Sequence, residues 1–141
     1  MILKKRPAIR KAFAEFDYWR VAEFNNYDVH RLLLNPLIIR NRSKIVAIIH
    51  NARVLLRLHQ VNLTLEKLTW RPVNYMPLDH LRRQGDKLDC TLFVQRFLVS
   101  FHARHFSRVG PKTLYSYLQA VGVVNDHEIS CAFHDKVGEN L

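Results

Sequence analysis

Apolar residues recur at helical spacing along most of the chain. The clearest run extends over residues 42 to about 60 and follows the i, i+3, i+4, i+7 pattern of a helix with one buried face. Its apolar positions are Ile45, Ile48, Ile49, Ala52, Leu55 and Leu56. Arg53 and Arg57 lie off this stripe, so they are expected on a solvated face. The pattern predicts a long amphipathic helix.

Shorter helices are predicted before this one. The first begins near Pro7, which suits a first helical turn because proline has no N–H to leave unpaired there. Its apolar positions are Ile9, Ala12, Phe13 and Phe16. Asp17 and Asn26 are typical N-cap residues and predict two further helices. The second of these ends at Asn35, because Pro36 disfavours the α conformation in the residue before it.

The second half of the chain is predicted to hold three more helices and one long irregular segment. The helices cover residues 64–70, 91–104 and 111–122. Residues 71–89 contain prolines, a glycine and many polar residues, which predict a loop or lid.

The C-terminal segment gives weaker signals. A short helical turn is expected from Asn125-Asp126, followed by a frayed tail from Asp135. No stretch of any length alternates apolar and polar residues as a half-buried strand does. The interpretation is therefore an all-α fold, with a single helical domain over residues 1–141.

Charge narrows the choice of partner. The 141 residues include 22 Lys and Arg against 12 Asp and Glu, a formal charge of +10. That excess favours a polyanion, with nucleic acid the first candidate and an anionic membrane surface the second. No apolar run is long enough to span a bilayer, and residues 1–6 lack the apolar stretch of a signal peptide. With only Cys90 and Cys131, no disulfide scaffold is expected, and a cytoplasmic protein is predicted.

Residues 106–113, Phe-Ser-Arg-Val-Gly-Pro-Lys-Thr, lie between two predicted helices. A tight turn that ends in glycine at a helix start can direct backbone N–H groups at an anion, and the helix dipole adds to the attraction. One DNA phosphate fits such a site. The DNA-binding candidates are Arg108, Val109, Gly110, Lys112 and Thr113. The turn thus looks like a helix-hairpin-helix motif. An ordinary helix–helix turn is the alternative, since Arg108 stands where helix-hairpin-helix motifs usually have their first glycine.

Four stretches of the sequence form an ordered set. They are residues 109–127 (VGPKTLYSYLQAVGVVNDH), residues 37–53 (from LIIRNRSKI to IIHNAR), residues 2–6 (ILKKR) with Phe13 and Phe16-Asp17, and Trp70 with Val73-Asn74. Together they closely resemble the DNA-3-methyladenine glycosylase I family of helix-hairpin-helix base-excision-repair proteins. Residues 78–105 depart from the family pattern.

The resemblance implies a helical glycosylase fold, with double-stranded DNA held by a helix-hairpin-helix over about residues 92–122. It also implies that a damaged nucleotide is flipped out of the duplex and its glycosidic bond hydrolysed. The base, 3-methyladenine, is cationic in DNA. An aromatic pocket therefore binds it by stacking and cation–π attraction, worth roughly 0.5–2 kcal/mol per contact. A monomer is expected.

Family members also have a segment before the point that matches Ile2, with two zinc ligands, an acidic residue of the base pocket and stacking aromatics. The chain is therefore interpreted as N-terminally truncated. An inactive duplex-DNA-binding remnant is the alternative to an active glycosylase.

The resemblance assigns two C-terminal zinc ligands, His127 and Cys131, which would share a helix face. Structural zinc needs four ligands, and His134 and Cys90 are the candidates for the other two. The alternative is that the pair binds no metal. Asp126 lies where many other helix-hairpin-helix glycosylases have a catalytic aspartate, and its alternative duty is to cap the helix that holds His127.

Aromatic and basic residues allow two interpretations each. The aromatics could stack on a base, but most are expected in the core; they are Trp19, Trp70, Tyr75, Tyr115 and Tyr117. The basic residues of the matched stretches could face DNA, or could simply be solvated; they are Lys4, Lys5, Arg6, Arg40, Arg42, Arg108 and Lys112.

Overall fold

The computed structural model describes residues 3–86 and 89–137. Within these ranges helices dominate, which confirms the predicted all-α class. The α-helices are α1 (Arg6–Ala12), α2 (Tyr18–Ala22), α3 (Asn26–Leu34), α4 (Arg42–Gln60), α5 (Leu65–Trp70), α6 (Thr91–His102) and α7 (Pro111–Ala120). Two strands of two residues each, β1 (Leu78–Asp79) and β2 (Val124–Asn125), form a parallel pair that the sequence pattern did not predict.

Contacts divide the chain into two compact units. Unit 1 comprises Met1–Thr64 and His105–Arg108, and unit 2 comprises Leu65–Arg104 and Val109–Leu141. The single domain over residues 1–141 stays a prediction. Among the described residues, no helix is both long enough and apolar enough to cross a membrane.

The long helix α4 is the main packing element of unit 1, where it contacts α2 and α3. It covers the predicted range, and the Asn41 side chain caps it by accepting a hydrogen bond from the N–H of Lys44. Its buried face is wider than the predicted stripe, since Ala47 and Val54 are buried as well. The core cluster around it consists of Phe13, Val21, Ala22, Val29, Leu32, Ile38, Ile45, Ile49 and Ala52.

Arg53 of α4 is exposed, as expected, and its guanidinium also makes two hydrogen bonds. Its Nε donates to the carbonyl of Ala22 at 2.9 Å, and its Nη2 donates to the carbonyl of Phe24 at 2.8 Å. These carbonyls lie at and just beyond the C-terminus of α2, where helix carbonyls lack intrahelical donors. A guanidinium there supplies both the missing donors and a favourable charge for the helix dipole.

The chain turns sharply after α1. Ala14, Glu15 and Phe16 have φ angles of 51°, 60° and 61°, so the helix ends before Phe16 reaches its face. Phe16 is 51% exposed, which corrects its assignment to the first apolar stripe. The turn brings Asp17 to the start of α2, where its carboxylate accepts hydrogen bonds from two backbone N–H groups, as predicted for an N-cap.

The N-cap of α3 is Asn25, one residue before the predicted Asn26. The Asn25 side chain accepts from the N–H of Tyr27 at 2.8 Å, while Asp28 accepts from the N–H of Asn25 at 3.1 Å. This reciprocal pair is a capping box. The helix ends at Leu34, before Asn35, as the following proline predicts.

Unit 2 is built on α6 and α7, which pack against each other. The ring of Phe101 meets that of Tyr117 edge-on, with centroids 6.5 Å apart. Thr69 of α5 is buried; its hydroxyl lies 2.9 Å from the hydroxyl of Tyr117. The buried apolar residues described in unit 2 are Leu68, Val94, Phe97, Leu98, Phe101, Leu114, Leu118, Val123 and Val124.

The predicted loop over residues 71–89 contains a 3-10 turn, Arg71–Val73, and then β1. The N–H of Leu78 donates to the carbonyl of Val123 at 2.8 Å, which ties this segment to the chain after α7. A lid function of the segment stays a prediction. A 3-10 turn, Asp135–Val137, occupies the start of the predicted frayed tail, and residues 138–141 lie outside the described residues.

The capping box of α3 predicts a pH-dependent stability. The N–H of Asn25, opposed by partial burial and assisted by Arg31, lowers the pKa of Asp28 below its ordinary value of 3.8. A carboxyl with a lowered folded-state pKa stabilises the fold above its unfolded-state pKa, and this contribution is lost as the pH falls through the folded-state value. Asp28→Asn should therefore lower stability by about 0.5–1 kcal/mol at pH 7.

The difference in melting temperature between Asp28→Asn and the parent chain should become smaller as the pH falls below the ordinary carboxyl range. Thermal melts followed by circular dichroism at pH 7 and in steps below pH 4 would measure it. Glu23→Gln removes an exposed carboxylate of the same unit and serves as the control. The same difference in melting temperature at all pH values would contradict the role of Asp28 in the capping box.

Candidate active site and nucleic-acid interface

The carboxylate of Asp126 is the centre of a polar cluster in unit 2. Its Oδ1 lies 2.5 Å from Nδ1 of His80, and its Oδ2 accepts from Nε2 of Gln119 at 2.7 Å and from the hydroxyl of Tyr115. The side chain is only 9% exposed. Both carboxylate oxygens are therefore engaged by donors of the chain itself.

Local structure explains why these groups meet. Tyr115 and Gln119 are four residues apart on α7, so they share one face of that helix. His80 follows β1, and its N–H donates to the carbonyl of Asn125 in β2 at 3.2 Å. Asp126 is the next residue after β2. The parallel pair thus places a histidine and an aspartate side by side at the edge of α7.

The cluster determines the ionisation of its members. Burial by itself raises the pKa of Asp126, but hydrogen bonds from Tyr115, His80 and Gln119 outweigh it and hold that pKa below its usual value. Burial, with hydrogen bonds to Asp126 and Cys90, raises the pKa of the Tyr115 hydroxyl. At neutral pH the site therefore holds a carboxylate next to a protonated phenol. Such a carboxylate can stabilise positive charge that develops nearby.

Asp126 does not cap a helix, so that alternative was wrong. Residues 126–134 form turns and bends without an α-helix. The side chain of Asn125, not that of Asp126, accepts from the N–H of His127, at 3.2 Å. Hydrogen bonds with His80, Tyr115 and Gln119 hold the Asp126 side chain elsewhere.

His127 and Cys131 lie close together, on a turn and not on the predicted helix face. The Nδ1 atom of His127 is 3.6 Å from Sγ of Cys131. A tetrahedral zinc with a sulfur at about 2.3 Å and a nitrogen at about 2.1 Å places those two ligand atoms roughly 3.6 Å apart. The pair has the spacing of two ligands of one metal.

The other two candidate ligands, His134 and Cys90, have other partners in this structure. Nδ1 of His134 is 2.8 Å from Oδ1 of Asp135, and its Nε2 is 3.2 Å from Oδ2 of Asp79, so carboxylates flank both ring nitrogens. Cys90 interacts instead with Tyr115. Within residues 3–86 and 89–137 no three His, Cys, Asp or Glu side chains form a group that could hold a metal. The assignment of His134 and Cys90 as zinc ligands stays a prediction.

The turn before α7 is held within unit 1. Asn51 of α4 donates to the carbonyl of Ser107 at 3.0 Å and accepts from its N–H at 2.7 Å. Arg108 donates to the hydroxyl of Ser43 at 3.1 Å. His105 and Arg108 have φ angles of 64° and 58°, a conformation that glycine adopts most readily. A glycine at the position of Arg108 would adopt this geometry with less strain.

The start of α7, in unit 2, is open. Gly110 is its N-cap, with φ of −94° and ψ of 171°, and no side chain of the described residues caps the helix. A Cβ on Gly110 would meet nothing within 4 Å, so the fold itself does not require glycine there. Lys112 and Thr113 are exposed and Val109 is half-buried. Four of the five DNA-binding candidates thus lie at the start of α7; they are Val109, Gly110, Lys112 and Thr113.

The aromatic candidates are less buried than expected. Trp19 and Tyr75 are each 51% exposed, so these two lie outside the core. Trp70, Tyr115 and Tyr117 are half-buried.

One basic candidate has a structural role. The Lys5 ammonium donates to the carbonyls of Pro36 and Ile38, each at 3.2 Å, within unit 1. These bonds hold the amino-terminal segment against the loop after α3.

Comparison with known proteins decides the family. The methyladenine glycosylase family model matches residues 1–135. The chain belongs to the methyladenine glycosylase family. It is 36% identical over 131 residues to DNA-3-methyladenine glycosylase 1 of Escherichia coli K12, covering 92% of this chain and 70% of that protein.

Solved structures of the family share this chain's fold. A crystal structure of 3-methyladenine DNA glycosylase I matches with a TM-score of 0.88 and 38% identity, covering 94% of this chain and 73% of that one. A variant of 3-methyladenine DNA glycosylase I in complex with 3-methyladenine matches with a TM-score of 0.81 and 29% identity, covering 94% and 72%.

The partners of Asp126 in this family member were not identified from the sequence. Tyr115 and Gln119 share a helix face, and that spacing was the available signal. His80 lies 46 residues away in the part that departs from the family pattern. The catalytic role of Asp126 stays a prediction, as do the DNA contacts.

Asp126→Asn should destabilise this family member by about 2–4 kcal/mol, because it removes a buried charge that satisfies donors from three side chains. Urea unfolding followed by circular dichroism at pH 7 measures the loss. The matched control is Asp135→Asn, whose carboxylate is 94% exposed and should cost less than about 0.5 kcal/mol. Equal effects of the two variants would contradict the cluster.

Proposed function

We propose that this chain acts in base-excision DNA repair and hydrolyses the N-glycosidic bond of 3-methyladenine in double-stranded DNA. Family membership over residues 1–135 carries the proposal, together with relatives named for that base. The named complex of a relative with 3-methyladenine supports the choice of base.

The chemistry demands little of the protein. Water adds to C1′ of the deoxyribose and loses a proton to solvent, while the bond from C1′ to the base breaks and its electrons leave with the base. A cationic base becomes neutral as it leaves, so it needs no strong acid catalyst. Positive charge grows on the sugar instead, and a carboxylate can stabilise it. Asp126 is the proposed carboxylate, since its lowered pKa keeps it ionised.

The proposed DNA-binding element is the α6–turn–α7 segment, acting as a helix-hairpin-helix. The N–H groups at the start of α7 would bind a backbone phosphate without reading sequence. Lys112 and Arg108 add charge to a chain whose net charge is +10. A glycine at position 110 that the fold does not need supports this role, because it leaves room for a close phosphate.

Zinc is proposed as a structural metal at His127 and Cys131. The 3.6 Å spacing of the ligand atoms supports it, and two further ligands would complete the tetrahedron. A bound zinc would stiffen the turn after Asp126. Metal analysis of the purified chain should find zinc that Cys131→Ser loses; equal zinc in both would contradict the site. A monomer and a cytoplasmic location stay predictions.

The test of the function is release of free 3-methyladenine from alkylated duplex DNA, with the Escherichia coli relative as positive control. The parent chain should release the base. Asp126→Asn should reduce release by more than its loss of folded chain explains, measured well below its melting temperature. A folded parent chain that releases no base would contradict the proposal.

Gly110→Ala separates DNA binding from folding. Because the added Cβ meets no atom of the chain, stability should change by less than about 0.5 kcal/mol. The Cβ would instead hold the phosphate away from the backbone, so duplex affinity should fall roughly tenfold. Fluorescence anisotropy with labelled duplex at fixed salt measures this. Ser116→Ala, at an exposed position of the same helix, should bind like the parent chain.

A further inference from the structure

A cleft in unit 2 contains Asp126 and an arginine that the proposed function does not use. Its volume is about 250 Å³, and its lining residues are Arg82, Gln119, Val124, Asp126, His127 and Val137. Among the described residues, the buried Nε of Arg82 has no hydrogen-bond acceptor. Buried polar atoms nearly always have a partner, because an unpaired one is destabilising. A ligand with an acceptor oxygen would supply the missing partner.

Local structure holds the backbone of Arg82 against the chain after β2. Leu81 has a φ angle of 48°, in the left-handed region, and its N–H donates to Oδ1 of Asp79 at 2.8 Å. The chain changes direction there and continues to Arg82, which forms an isolated parallel bridge with Glu128. The carbonyl of Arg82 accepts from the N–H of Ile129 at 2.9 Å. The guanidinium therefore extends from a backbone that is fixed on both sides.

The lining residues favour an oxyanion that is joined to a neutral group. A guanidinium donates along a planar fork that matches the oxygens of a phosphate or a carboxylate. The ionised carboxylate of Asp126 repels an anion beside it, so the anion belongs at Arg82 and a neutral group at Asp126. None of the six lining residues is Phe, Tyr or Trp, so a base has no such ring to stack on. The charge of +10 favours the phosphates of nucleic acid as the oxyanion.

We propose that Arg82 binds a phosphate of the nucleotide whose base is removed, and that the deoxyribose of this nucleotide lies in the cleft beside Asp126. The identity of the ligand rests on the proposed function. The phosphate supplies the acceptor that the buried Nε of Arg82 lacks. The neutral sugar separates the phosphate from the carboxylate, which stabilises the positive charge that grows on the sugar. Arg82 lies outside both the α6–turn–α7 segment and the stretches that match the family.

Two duplexes, one intact and one with a tetrahydrofuran unit in place of a nucleotide, test the proposal. The tetrahydrofuran unit keeps the sugar ring and both phosphates but has no base, so its sugar enters the cleft without the cost of unstacking a base. In fluorescence anisotropy, the full chain should bind this duplex on the order of tenfold more tightly than the intact duplex. Arg82→Gln should remove most of this preference.

Controls separate a phosphate contact from net charge and from folding. Arg83→Gln removes the same charge at the exposed neighbouring residue and should keep the full preference. Arg82→Gln should not lower the melting temperature, because the Nε–H has no acceptor to lose among the described residues. Arg82→Lys keeps the charge without the planar fork and should retain only part of the preference.

A spectroscopic measurement reports the contact without DNA. The bisphosphate of the same tetrahydrofuran unit is added to the full chain, and the Nε–H signal of Arg82 is followed in a proton–nitrogen correlation spectrum. The signal is identified by its absence from Arg82→Lys. It should move to lower field as the phosphate accepts the hydrogen bond, and inorganic phosphate at the same concentration should move it less.

Three results would overturn the proposal. They are equal affinity for the two duplexes, an undiminished preference in folded Arg82→Gln, and an Arg82 signal that the bisphosphate moves no further than inorganic phosphate does. Because none of these measurements involves hydrolysis, a failure to release 3-methyladenine from DNA leaves them unaffected. Release of the base by a chain without the Arg82-dependent preference would contradict this site and leave the proposed function intact.

Discussion

The ionised carboxylate of Asp126 is the interaction on which unit 2 depends most. A charge that is 9% exposed would be costly if it were unpaired. Donors from α7 and from the residue after β1 offset that cost. The same bonds join the segment after β1 to α7 and to the residue after β2, in addition to the strand pair and the Arg82–Glu128 bridge. Stability and the proposed chemistry of unit 2 thus share one side chain.

Helices were predictable because each has an apolar period and several also have an end signal. The range of α4 follows from its stripe, and the end of α3 follows from Pro36. The left-handed turn at residues 14–16 contains no glycine to indicate it. The strands β1 and β2 are too short to show alternation. Asn25 and Asn26 are chemically identical caps, so only backbone geometry selects between them.

The site was predictable only where its residues are neighbours in the chain. The turn over residues 106–113 and the pair His127 and Cys131 came from local motifs. His80 was missed because its contact with Asp126 spans 46 residues. Gly110 illustrates a further limit. A glycine in a turn suggests a backbone conformation that other residues avoid, but its φ of −94° is open to any residue. The feature that matters for the proposed phosphate contact is the open space beside Gly110.

Asn51 has a consequence for the order in which the chain folds during synthesis. Unit 1 is discontinuous, because residues 105–108 join it after forty intervening residues of unit 2. Both polar groups of the Asn51 side chain bind Ser107, 56 residues later. A ribosome must therefore produce α6 before α4 can satisfy this amide. The helical core of unit 1 can collapse early, but its final hydrogen bonds wait for the turn that precedes α7.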